Sequence, residues 1–197
     1  TGSGNTAMGH KTMQFLVDGD ENTGFGQGAL NTLTSGSNNT AVGVHAGRGN
    51  QTGRYNTSVG QESLDGTGNN ASNTAVGFRA GKGITTGSDN VFIGKNAGYT
   101  IDDGSSNVVI GDDADVSATN SSNQIVIGKG ATGTTNNTVL LGNGSITNWL
   151  PTDDNEVDLG SSTKEMKDIY VDGVAYTDAL GFGTVAMTLP TADGSAD

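Results

Sequence analysis

The chain has 197 residues, with nine lysines and arginines against 21 aspartates and glutamates, a formal net charge of −12 and a pI near 4.2. So acidic a surface repels phosphate backbones and anionic headgroups, so neither a nucleic-acid partner nor membrane insertion is expected. With 33 glycines, 32% hydrophobic residues and no cysteine, the chain has too little apolar volume for a conventional globular core and no thiols for disulfides or thiolate metal sites.

Such a composition ordinarily reads as disorder, and only a strict repeat overturns that reading. The repeat is there. Asn5-Thr6-Ala7-Met8-Gly9 is followed by Asn22-Thr23-Gly24-Phe25-Gly26, Asn39-Thr40-Ala41-Val42-Gly43, Asn56-Thr57-Ser58-Val59-Gly60 and Asn73-Thr74-Ala75-Val76-Gly77. Asn90-Val91-Phe92-Ile93-Gly94, Asn107-Val108-Val109-Ile110-Gly111 and Gln124-Ile125-Val126-Ile127-Gly128 continue it, each copy 17 residues after the last. A ninth copy, Thr138-Val139-Leu140-Leu141-Gly142, comes after a step of 14. A disordered linker drifts in length. Stacked coils cannot, because one extra residue puts every later ladder out of register.

The period predicts an all-β solenoid or β-roll of 17-residue coils over residues 1–148, with each copy one strand. Strands about 4.8 Å apart make a stack of roughly 40 Å. The residue before each glycine is always apolar, and is expected to form the inward core ladder: Met8, Phe25, Val42, Val59, Val76, Ile93, Ile110, Ile127 and Leu141. Strand alternation then turns Thr6, Thr23, Thr40, Thr57 and Thr74 inward as well. The glycines Gly9, Gly26, Gly43, Gly60, Gly77, Gly94, Gly111, Gly128 and Gly142 end the strands in turns of positive φ. A second left-handed turn is expected at Gly19, Gly36, Gly53, Asn70, Gly87 and Gly104. The column Asn5, Asn22, Asn39, Asn56, Asn73, Asn90 and Asn107 is read either as an amide ladder between coils or as local turn caps.

From Trp149 the pattern changes. Trp149 is expected to cap the solenoid, and residues 149–175 to form a small β-rich module with a short helix near Lys164–Asp168. Residues 176–197 read as an extended segment leading to a further region. The chain opens on Thr1, as if within a repeat, so a longer parent polypeptide is expected.

A typical coil such as residues 39–55 has only Ala41, Val42, Val44 and Ala46 to bury. Ordering each residue costs about 1–2 kcal/mol, so several copies packed about a shared axis are expected, with a single-chain solenoid as the alternative; the resemblance below points to a homotrimer. The Asn-Thr-Ala-Val-Gly units, with Thr85-Thr86-Gly87, resemble head repeats of trimeric autotransporter adhesins. The 17-residue units, and Asp158-Leu159-Gly160 through Ile169-Tyr170-Val171-Asp172-Gly173, are similar to bacteriophage tail fibres, particularly those of marine phages. The resemblance implies a homotrimeric fibre segment of a virion that positions a receptor-binding tip for host attachment. A bacterial surface adhesin head that binds host glycans or proteins is the alternative, and an ice-binding threonine face a remote one.

Catalysis needs converging acid, base and nucleophile groups. His10 and His45 occupy different repeat positions and read as surface residues, so neither an enzyme nor a cofactor is expected. Asp112, Asp113 and Asp115 are the weak candidates for Ca²⁺, but they match no calcium-loop pattern and fall where turns favour aspartate.

Overall fold

The computed structural model describes residues 2–66 and 68–146, together with Thr163. The chain divides into two units, Thr1–Asn148 and Trp149–Asp197, and the repeat belongs to the first. The Trp149 cap, the 149–175 module with its helix and the 176–197 segment lie outside the described residues, Thr163 apart.

The described residues form nine strands: β1 (Thr6–Met8), β2 (Thr23–Phe25), β3 (Thr40–Val42), β4 (Thr57–Val59), β5 (Thr74–Val76), β6 (Val91–Ile93), β7 (Val108–Ile110), β8 (Gln124–Ile127) and β9 (Thr138–Leu141). They make one parallel sheet in chain order, a β-solenoid. Pairing is in register throughout: Thr6 lies over Thr23, Thr40, Thr57 and Thr74, and Val42 over Val59 and Val76. The 14-residue step keeps the register too, with Ile127 against Leu141.

The turn after each strand is not helical. The glycine after the strand has φ of +129° to +141° from Gly9 to Gly128, and two further left-handed residues follow it, as at His45 and Gly47 or Glu62 and Leu64. Alternating backbone hands curl the chain without forming a helix, at Ala29-Leu30 and Ser63-Leu64 as elsewhere. A second ladder runs up this side, with Leu30 N–H donating to Ala46 O, Gly47 N–H to Ser63 O and Leu64 N–H to Ala80 O, at 2.8–3.0 Å.

Two expectations are corrected here. First, the inward column is the middle residue of each strand. Gly24, Ala41, Ser58, Ala75, Phe92, Val109 and Val126 are buried. The ladder Met8, Phe25, Val42, Val59, Val76, Ile93, Ile110, Ile127 and Leu141 faces outward, as do the threonines; Met8 is 62% and Phe25 53% exposed. The cause is thinness, because coils this narrow hold mostly alanine, glycine or serine at the middle position. Second, Gly19, Gly36, Gly53, Asn70, Gly87 and Gly104 do not have positive φ. Glycine predominates there because a Cβ would run into the carbonyl of the next coil, as Gly36 would against Gly53 O.

The interior is packed by exchange of volume between columns. Phe92 fills it in β6, and Gly81 and Gly98 leave the space, since a Cβ on Gly81 would come within 2.5 Å of the ring. Leu30 covers Gly47 in the same way, 2.9 Å from where its Cβ would stand.

Of the two readings from sequence, the asparagine column makes the amide ladder, and its second bond goes to a carbonyl 14 residues on instead of capping a local turn. Asn39 N–H and Nδ2 both donate to Asn22 Oδ1 at 3.0 Å, and Asn39 Nδ2 also donates to Gly53 O at 2.9 Å. The pattern repeats from Asn22 to Asn107, so each amide links two coils and closes its own. Gln124 departs from it. Its N–H still donates to Asn107 Oδ1, but its side chain turns to Ser117 as the coil shortens.

Candidate functional site: the outward face of the sheet

Two columns stand on the outer face. One runs Thr6, Thr23, Thr40, Thr57, Thr74, Val91, Val108, Ile125 and Val139. The other is the apolar ladder from Met8 to Leu141. The columns contain no charged residue in any of the nine strands, although the chain carries −12. From β6 onward both are β-branched or leucine, so the face changes from threonine-and-valine to fully aliphatic. In-register strands about 4.8 Å apart align these side chains in rows of roughly 38 Å. A long uncharged stripe of this kind is the candidate for a docking surface.

Charge is placed elsewhere, as pairs joining successive coils. Arg48 grips Asp65 with Nε–Oδ1 at 2.9 Å and Nη2–Oδ2 at 3.0 Å. Arg79 and Lys82 meet on Glu62 at 2.9 and 2.5 Å. The hydrogen bond from Lys82, then that from Arg79, hold the Glu62 carboxyl down to about 2. A depressed carboxylate contributes stability that is present above its ordinary 4.5 and is lost as pH falls toward 2. Burial pushes the Asp65 carboxyl up, so that group acts in the opposite sense and favours the fold less as pH rises. Glu62→Gln is therefore expected to flatten the decline of the melting temperature between about pH 4.5 and 2; thermal melts across that range measure it.

The calcium candidates are not assembled into a site. Asp112 and Asp113 share Lys95, at 2.8 and 3.4 Å, and Asp113 also accepts from Asn96 Nδ2 at 2.7 Å. Asp115 accepts from the backbone N–H groups of Thr100 and Val116. The three carboxylates are taken up by a lysine, an amide and the backbone, and no group of three or more possible metal ligands occurs among the described residues. His10 and His45 fall in separate columns. An open polar groove lies along the edge of the first coils, lined by Asp18, Asp20, Glu21, Ser37, Arg54 and Tyr55 among others. Among the described residues no helix is long and apolar enough to cross a membrane.

Comparison with protein-family models, curated proteins and solved structures finds no match.

The outward stripe was missed from sequence because apolarity was equated with burial. The signal that could have found it is the middle column, where the rise to Phe92 coincides with glycine at Gly81 and Gly98.

Proposed function

We propose that residues 1–148 are a shaft segment of a homotrimeric fibre, which holds a receptor-binding tip away from a virion or cell surface for host attachment. The observation that carries this reading is the uncharged outward stripe, unbroken across nine in-register strands. Like-charged copies of a −12 chain repel wherever carboxylates meet, and this stripe lets identical copies approach without burying a charge. Self-association through it covers the same columns that a single thin coil leaves in water.

Light scattering on the purified chain is expected to give three times 19.8 kDa, about 59 kDa. Ile110→Lys is expected to return a monomer with an unchanged β spectrum, because it buries a charge in the seam between copies. A wild-type monomer at all concentrations would remove the homotrimer.

Two observations favour other readings. The edge groove, with exposed Tyr55 beside Arg54 and carboxylates, offers the polar hollow that a glycan-binding adhesin head requires. Binding on a glycan array that Tyr55→Ala abolishes would favour it. The threonine column faces outward, as an ice-binding face requires, but its companion column mixes Met8 and Phe25 with valines and is uneven. No thermal hysteresis is expected.

A further inference from the structure

The apolar interior is not continuous. Met13, Ala29, Leu30, Leu33, Ala41 and Ala46 form one cluster, and a second begins at Leu64 and runs through Phe92 to Ala131. Where the clusters meet, the coils of β3 and β4 also bury polar residues: Asn50, Ser58, Ser63, Asp65 and Asn70. Leu30 lies against Gly47 and Leu64 against Gly81, each one coil further on. The β3 coil has Gly47 itself in that column, so no such side chain reaches from it toward the β4 coil.

The serines satisfy one another, with Ser58 Oγ 2.8 Å from Ser63 Oγ and Ser63 Oγ donating to Gly60 O. The asparagines do not. Asn50 is 1% exposed and Asn70 0%, yet Asn50 Nδ2, Asn70 Nδ2 and Asn70 Oδ1 have no partner. Leaving buried polar atoms unpaired costs about 1–3 kcal/mol each, so this arrangement calls for a further hydrogen-bonding group.

Column geometry indicates where it sits. Leu33, Ile84 and Ile101 each lie over the small residue three positions on: Gly36, Gly87 and Gly104. Asn50 does the same to Gly53, accepting from its N–H at 2.8 Å. Asn70 occupies the position of Gly53 one coil further on. Its backbone therefore stands one coil step, about 4.8 Å, from that of Gly53, over which the Asn50 amide lies. A gap of one coil suits one water with two legs of roughly 2.8 Å. Two donors and one acceptor fit a single water.

We propose that the β3–β4 junction is a hydrated seam, in which one internal water bridges Asn50 and Asn70 and from which the coils of β1–β3 open as a unit, separately from those of β5–β8. Its basis is independent of oligomeric state. In a shaft, the seam is where the stack gives.

Hydrogen exchange on the full chain tests the opening. The amides of Leu30 and Ala46 are expected to exchange at least about tenfold faster than those of Gly81 and Gly98. Equal protection on both sides would overturn the proposal. A crystallographic map at atomic resolution is expected to show a peak in hydrogen-bonding reach of Asn50 Nδ2 and Asn70; an empty space there would overturn the water. The pair Asn50→Leu and Asn70→Gly installs the residues that neighbouring coils use at these positions, as Leu33 and Gly53 do. The double variant is expected to melt higher and to equalise the two blocks. A folded double variant that melts lower, or that keeps the difference in exchange, would also count against the seam.

Discussion

Asn73→Ala is expected to destabilise the fold by about 3–5 kcal/mol, measured by chemical denaturation, from the loss of one polar side chain. Asn73 is fully buried. Its Oδ1 accepts from Asn90 N–H and Nδ2, both at 3.0 Å, and its Nδ2 donates to Gly87 O at 2.9 Å and Asn56 Oδ1 at 3.3 Å. Alanine leaves Asn90 N–H and Gly87 O unpaired in the interior and weakens the pairing on both neighbouring amides. Asn73→Asp should be at least as harmful, because it removes both donors and sets a carboxylate against Gly87 O and Asn56 Oδ1. Asn69→Ala, at an exposed position outside the left-handed region, is the control and should change stability by no more than about 0.5 kcal/mol. Equal effects at Asn73 and Asn69 would mean that the ladder contributes nothing.

The second large effect is a coupling. Phe92→Ala empties the widest part of the interior and is expected to cost about 3–5 kcal/mol. Gly98→Ala is expected to be costly as well, because φ there is +64° and a Cβ would overlap the Phe92 ring. In the Phe92→Ala background the overlap is gone, leaving only the left-handed backbone penalty of about 1–2 kcal/mol. The two substitutions should therefore fall short of additive by about 1–3 kcal/mol in a double-mutant cycle. Additive values would show that Gly98 is set by its backbone alone.

Much of this architecture can be read from spacing. A period of 17 without insertion dictates parallel in-register stacking, and the nine strands stand where the glycine-terminated tetrads put them. The asparagine column was legible as a ladder, but its second bond, to a carbonyl 14 residues on, was not, because only the stacked coil brings that carbonyl within reach of the spare donor. Facing was not legible from apolarity. In a three-residue strand, alternation fixes that Val42 and Thr40 share a face but not which face it is, and the usual assumption that valine is inside fails when the inside holds only Ala41. The expected turn at Gly36 failed for a related reason, since glycine marks close approach as readily as positive φ. The three aspartates near β7 could not be judged from sequence, because the lysine and amide that occupy two of them stand one coil earlier, at Lys95 and Asn96.

The register has a consequence for how such a chain can change length over evolutionary time. Gain or loss of a few codons would misfit the coil that carries it against its neighbours, so tolerated indels should come as whole copies. Each adds about 4.8 Å, and size variants should form a ladder with 17-residue rungs. The step of 14 shows the one exemption: a coil can shed residues from its far side, provided that its strand still meets the one before.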